Sequence, residues 1–303
     1  MTASLPLPRP GARELAPLVA AAACFLLLFL QPFRLLVADW WNDPDAGHGL
    51  LLAPVALWLG WQRGLLPSVP ARVSGLLAIV AGVLLRYLSG LAAELFTMRV
   101  SMLLAGVGLV LFFRGWRQLL HWWLPILLLG LSIPIPAVLT TSLALPLQLM
   151  ASKWGAALLQ ARHVPVILAG NIIRLPGRDL FVTEACSGLR SLTALLALGV
   201  LVGGLWLRHP LSRILLVTLA IPVAMAVNAF RVFLTGFLVH WVDPALGEGF
   251  MHLSEGWLLF VIAFLILGGF TWAVGAVERR LLGPASPPAE PAPPAAPGPS
   301  HAT

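Results

Sequence analysis

Two cysteines occur in the chain, in different settings. Cys24 lies inside an apolar run, where a thiol is normally a small packing group. Cys186 stands in TEACSGLRSL (183–192), with Glu184, Ser187, Gly188 and Arg190 around it and an apolar run immediately after. A thiol attacks as its thiolate, and the free pKa is about 8.5. A nucleophilic cysteine therefore needs a base, and an imidazole can take its proton and later return it to a leaving amine. Attack on an amide places negative charge on the carbonyl oxygen, which a guanidinium can stabilise. The sequence offers Arg231 in VNAFRVF, with Asn228 nearly one helical turn earlier, and His252 in GFMHLSEGW.

Each of these residues also has a plain structural role open to it. Cys186 can be a packing thiol, Arg231 a snorkelling arginine and Asn228 a helix–helix hydrogen-bonding group. His48, His163 and His240 are alternative bases, and Arg190 is an alternative oxyanion group or a clamp for a substrate carboxylate. Arg174 and Arg178 are candidates for holding an acidic substrate residue through charge-assisted hydrogen bonds, or are simply solvated loop charges. His48 is a supporting candidate. Arg99 reads as a further intramembrane charge without a partner.

For a thiol, a guanidinium and an imidazole so far apart in sequence to meet, the scaffold must bring three segments to one place. Hydrophobic residues make up 59% of the 303-residue chain and charged residues only 10%, against about 25% charged in soluble domains. This predicts an all-α polytopic membrane protein. The formal charge of +7 does not point to nucleic acid, because no basic cluster carries interleaved aromatics. Two cysteines provide neither a disulfide framework nor a zinc pattern, so neither metal nor cofactor is expected. The first apolar run is long for a signal-peptide core, and no cleavable signal is evident.

A span needs about 20 apolar residues. Eight runs are predicted, at roughly 15–37, 49–62, 72–90, 95–113, 118–135, 187–207, 211–236 and 254–277, the second short enough to be tilted or partly interfacial. Arginine pairs mark every second connection: Arg9 and Arg13, Arg63 and Arg72, Arg114 and Arg117, Arg208 and Arg213, Arg279 and Arg280. The positive-inside rule places these on the cytoplasmic side, with both termini. The other connections hold Asp39, Asp43, Asp45, Glu94, Asp179, Glu184, Asp243, Glu248 and Glu255, nine of the twelve acidic residues. Residues 1–14 are then a cytoplasmic N-terminus, 15–280 the transmembrane domain and 281–303 a disordered Pro/Ala-rich tail. Within the domain, 136–185 is an extracytoplasmic segment. It opens on an amphipathic stretch, TTSLALPLQLMASKWGAALLQA, expected at the interface or dipping into it. VPVILAGNIIRLPGRDLFV follows, with β-branched runs broken by AGN and PGR turn signals, which predicts a small hairpin or meander. On this topology Cys186, Arg231 and His252 reach similar depth on the outer face.

EACSGLRSL, then NAFRV, then MHLSEGW, with GHGLLLAP at the outer start of run two, resembles the exosortase/archaeosortase family of membrane transpeptidases. The likeness covers roughly residues 40–280. It implies that Cys186, Arg231 and His252 are the catalytic set. It also implies that the substrates are exported proteins bearing a C-terminal sorting signal: a short motif such as Pro-Glu-Pro, a membrane helix and a basic cluster. Cleavage through a thioester and transfer to an acceptor that is an amine, a lipid or glycan-linked would follow, at the outer face of the cell inner membrane. Gly47 stands where the family often has Ser, and the soluble C-terminal domain of some members is replaced by the Pro/Ala tail. The readings of another class are a transporter or an assembly subunit for envelope polysaccharide, using Arg99, Arg190 and Arg231 to bind an anionic lipid or sugar. A purely hydrolytic intramembrane protease would use the same residues as the transpeptidase.

Overall fold

A computed structural model describes residues 12–176, 178–182, 188–243 and 249–282, without the side chains of 12–15, 137, 249–257 and 282. Cys186, Glu184 and the tail from 283 onward lie outside the described residues. Ten helices and three strands are described: α1 (Ala12–Asn42), α2 (Gly49–Arg63), α3 (Arg72–Leu91), α4 (Leu95–Arg114), α5 (Trp116–His121), α6 (Trp123–Leu131), α7 (Ala137–Ala161), β1 (Ile167–Ala169), β2 (Ile172–Leu175), β3 (Arg178–Phe181), α8 (Leu189–Trp206), α9 (Pro210–Trp241) and α10 (Gly249–Leu282).

Among the described residues, six stretches are long and apolar enough to cross a membrane: Ala16–Asn42, Arg72–Leu91, Leu95–Arg114, Leu189–Trp206, Pro210–Trp241 and Leu258–Leu281. The two remaining predicted runs differ from these. Helix α2 has 15 residues, about 22 Å at 1.5 Å per residue, against a hydrocarbon core of about 30 Å. The run at 118–135, expected as one span, divides at Trp122 into α5 and α6. Pro125 explains the break. A proline has no amide hydrogen for the carbonyl four residues back, which is that of His121. That carbonyl instead accepts a bond from Arg63 Nη1 at 2.7 Å. Helices α2 and α6 pack together through Leu52, Ala56, Leu59, Leu124 and Leu128, and Ala197 of α8 joins them.

The connections sort to two ends. At one, called here the inner rim, Gln118 accepts from the Leu66 amide at 2.7 Å and donates to the Gly64 carbonyl at 3.2 Å. Arg63 and Arg213 both lie over the Trp123 ring, at 5.9 and 4.8 Å. Glu278, buried near the end of α10, accepts from the Arg208 amide at 2.9 Å and from the His209 amide, and so caps the start of α9. The described arginine-bearing connections between helices thus meet at one end of the bundle. Asp39, Asp43, Asp45 and Glu94, from connections at the opposite helix ends, line one cavity there, at the end called the outer rim.

In an apolar solvent, helices gain little by burying Leu, so association rests on close approach and small residues. Helix α7 shows this. Ala144, Gln148, Ala151, Ser152, Ala156 and Leu159 form its buried stripe, while Leu143, Leu145, Leu149, Trp154 and Leu158 remain exposed. The expected helix is present, but it is not divided into an apolar buried face and a polar exposed one: large apolar side chains stay exposed, while Gln148, Ser152 and small residues face α9, where a Cβ on Gly155 would stand 2.6 Å from Val232 Cγ1. The sheet is a three-stranded antiparallel meander, β1-β2-β3, with Ile167 opposite Arg174 and Leu175 opposite Arg178. Gly170, in the AGN turn, has φ of +65°. Ile173, Leu175, Val164 and Val182 seat this sheet on α7 and α9, in one core with Leu159, Val232 and Val239.

Candidate active site at the outer rim

Asn228 and Arg231 arise from the outer half of α9, and Asn228 is buried. The thiol-bearing motif reaches them through Gly188, which opens α8 in the left-handed region with φ of +78°. A Cβ on Gly188 would lie 2.7 Å from Asn228 Cγ. Only glycine meets both conditions, positive φ without cost and side-chain contact at that range. Gly188 is two residues from Cys186, so chain connectivity alone keeps the two Cα atoms within about 7 Å.

Arg231 lies close to one turn further toward the outer end of α9, in a small seam between three helices that is also lined by Ser191 and Leu195 of α8, Asn228 of α9, and Leu259 and Phe260 of α10. Residue 252 lies on α10, seven positions before Leu259. At 3.6 residues per turn it shares the face of Leu259, about 10 Å further toward the outer end. The structure therefore brings together Gly188, Ser191, Asn228 and Arg231, and sets position 252 above them on the adjoining helix. Cys186 and Glu184 belong to a segment outside the described residues.

The remaining sequence candidates go elsewhere. Arg174 and Arg178 stand on β2 and β3, where Arg174 Nε is 4.0 Å from Asp179 and both side chains are well exposed. His163 follows α7 and takes positive φ, +61°. His240 lies in the last turn of α9, its ring 5.2 Å from Trp241 and edge-on. His48 precedes α2, and its Nε2 is 3.2 Å from the Leu131 carbonyl. Beside it, Gly49 leaves room for the Trp40 indole, whose Nε1 donates to the Ser132 carbonyl at 2.7 Å. The GHG stretch is thus the corner where α1, α2 and the end of α6 interlock.

His48 and Arg190 line a second, larger outer cavity of about 620 Å³, between the ends of α1, α4, α6 and α8. Arg190 is not held free for a substrate carboxylate: its Nε donates to Asp45 Oδ1 at 2.6 Å. Arg99 also corrects the sequence reading. It is not unpaired, because α1 runs five residues past its predicted end at 37 and carries Asp39 to it; Arg99 Nη2 and Asp39 Oδ2 are 2.6 Å apart. Glu94 caps α4, accepting from the Phe96 and Thr97 amides at 3.0 and 2.6 Å and from the Thr97 hydroxyl. The Thr97 hydroxyl bond is the first cause of a carboxyl pKa held below its ordinary value, followed by the Thr97 amide. Sequence reasoning missed Asp39, Asp45 and Glu94 as members of a site. The available signal was the gathering of acidic residues in the outer connections, among them the counter-ion that a buried Arg99 requires.

The fold and this rim define a polytopic helical membrane protein whose three C-terminal helices gather polar groups at one end. The transmembrane exosortase family model matches residues 40–269, and the chain belongs to that family. Searches of curated proteins and of solved structures gave no match.

Proposed function

We propose that this exosortase-family protein is a cysteine transpeptidase acting at the extracytoplasmic rim of the cell inner membrane. Cys186 attacks the scissile carbonyl of an exported protein's C-terminal sorting signal, Arg231 stabilises the oxyanion, and His252 takes and returns the proton. A thioester forms, and an acceptor amine or water resolves it. The observation that carries this reading is the contact of Gly188 with Asn228: it joins the start of α8, two residues after the cysteine, to the helix turn next to Arg231. The charge distribution supports the sidedness, with both termini cytoplasmic. The substrate's own helix packs against the bundle in the bilayer, and its extended motif can add to the edge of the β1–β3 meander by strand pairing.

The test is co-expression with a secreted protein carrying a motif, a membrane helix and a basic cluster. Cys186→Ala abolishes processing while protein level and topology are unchanged; continued processing ends the reading. Mass spectrometry of the new C-terminus separates transfer from hydrolysis. A transporter or polysaccharide-assembly subunit tolerates Cys186→Ser and processes nothing.

A further inference from the structure

Toward the inner rim, helices α8 and α10 leave a slot of about 320 Å³ between them. Val202 and Trp206 of α8 line it, with Phe264, Gly268, Trp272 and Arg279 of α10. Trp206 and Trp272 are 68% and 73% exposed, so the slot opens outward, to the hydrocarbon, and not into the bundle. A Cβ on Gly268 would meet nothing within 4 Å. Thr271, also in the wall, spends its hydroxyl on the Leu267 carbonyl at 2.8 Å. The walls are therefore apolar until Arg279. Exposed apolar side chains are ordinary on a helix that faces lipid. A concave apolar slot that ends on a charge is not. The Arg279 guanidinium turns back along α10, its Nη1 3.4 Å from where a Cβ on Gly275 would stand. Long helical side chains lean over the preceding turn, and the missing Cβ lets this one lie across the inner end of the slot. Its side chain has no ion pair or hydrogen bond among the described residues. The adjacent carboxylate, Glu278, is buried and engaged with the Arg208 and His209 amides. Arg208 and Arg280, both exposed, add positive charge at the same rim.

We propose that this slot binds one anionic phospholipid from the leaflet at the inner rim, its phosphate on Arg279 and one acyl chain laid along α10 over Gly268. The dimensions fit. Phe264 to Gly275 spans about 16 Å at 1.5 Å per residue, and half of a hydrocarbon core of about 30 Å is about 15 Å. The slot thus has the length of one acyl chain, with its cation at headgroup level. A guanidinium fork suits a phosphate, which it meets through paired charge-assisted hydrogen bonds. A partner helix fits less well: at about 10 Å across with side chains, it would need about four times the volume of the slot over that length. A second copy would also bring its own Arg208, Arg279 and Arg280 to the same level, like charge against like. The slot lies at the opposite end of α10 from position 252, so this lipid is not a reactant, and the inference stands apart from the transpeptidase reading. Its role is to brace α8 against α10, two of the three helices that form the seam around Arg231.

The full chain, purified in a neutral detergent, is titrated with phosphatidylglycerol or with phosphatidylcholine of the same acyl chains, and bound lipid is counted by native mass spectrometry. Phosphatidylglycerol should bind at one site at least tenfold more tightly. Arg279→Gln should cut that margin to about twofold, whereas Arg280→Gln should change it less than twofold. Gly268→Leu sets a good helix former into open space and should weaken both lipids about fivefold by filling the slot. Equal binding of the two lipids, equal effects of the two arginine variants, or indifference to Gly268→Leu overturns the site. Glycerol 3-phosphate at millimolar concentration should not displace the lipid; displacement assigns the anion to a soluble phosphate and overturns the lipid. A chain carrying Gly268→Cys, with Cys24→Ala and Cys186→Ala, should stay monomeric on oxidation in phosphatidylglycerol bilayers. A cross-linked dimer there seats a second copy in the slot and likewise overturns the proposal. Saturating phosphatidylglycerol should raise the melting temperature of the wild type but not of Arg279→Gln or Gly268→Leu. A gain in all three, or in none, overturns the bracing role.

Discussion

The two rims of the bundle spend their polar residues differently. At the inner rim, Arg63, Gln118, Trp122 and Glu278 direct their side chains at backbone groups of neighbouring connections. Those bonds close short loops. At the outer rim, the arginines meet carboxylates across helices, Arg99 with Asp39 and Arg190 with Asp45, around open volume. Charge pairs hold elements together weakly here: Arg190–Asp45 is exposed on both sides, a setting worth about 0–1 kcal/mol, and burying Arg99 carries a desolvation cost that offsets much of its attraction to Asp39. Backbone-directed bonds do the structural task at lower cost. The difference teaches that the outer charges are better explained by what the rim must bind than by what it must hold.

Substitutions can break or sharpen that contrast. The largest effect is expected at Cys186 and His252: alanine at either should reduce processing to background in the co-expression assay, with the protein still in the membrane. A mild loss at His252 would transfer the base role to His48, His163 or His240. Arg231→Ala should follow, with about 10²–10³ lost in rate, read as turnover per folded molecule. Arg99→Ala removes the buried partner of the partly solvated Asp39 and should cost about 1.5–3 kcal/mol of stability, the range for a hydrogen bond to a charged group, measured by denaturation in detergent. Glu278→Ala, at the inner rim, removes two backbone bonds and should cost about 2 kcal/mol, with processing per folded molecule unchanged. A large activity loss there would erase the distinction between rims.

The smallest effect concerns acid. Glu94's folded pKa is depressed, so its capping contribution is fully present above the ordinary carboxyl value of 4.5. It is lost as pH falls through the lower folded value. Thermal unfolding should show that loss in the wild type, and Glu94→Gln should flatten it.

Much of this was legible in the sequence because membrane segments obey coarse rules. Apolar length located the long helices, and arginine pairs grouped the connections that the structure gathers at one end. The AGN signal worked because Gly170 needs positive φ. The same rules failed at 118–135, where average hydropathy hides Pro125 and the helix divides before it. They failed again at Arg99, where the counter-ion lies on another helix, beyond the expected end of α1. For the site, the motif around Cys186 and the order of Asn228, Arg231 and His252 stood in the sequence, while Arg190's engagement with Asp45 did not.

By itself, then, the sequence determined a multi-pass helical protein, the alternation of its connections and the residue types able to perform thiol chemistry. Hydropathy and charge act locally along a chain, so a linear reading captures them. Tertiary structure alone decided that Gly188 abuts Asn228, that Arg231 faces a seam shared with α8 and α10, and that Asp39 neutralises Arg99. Those are contacts between helices, set by the fit of side chains a few ångströms apart, and no pattern along one helix specifies which neighbour will supply the partner.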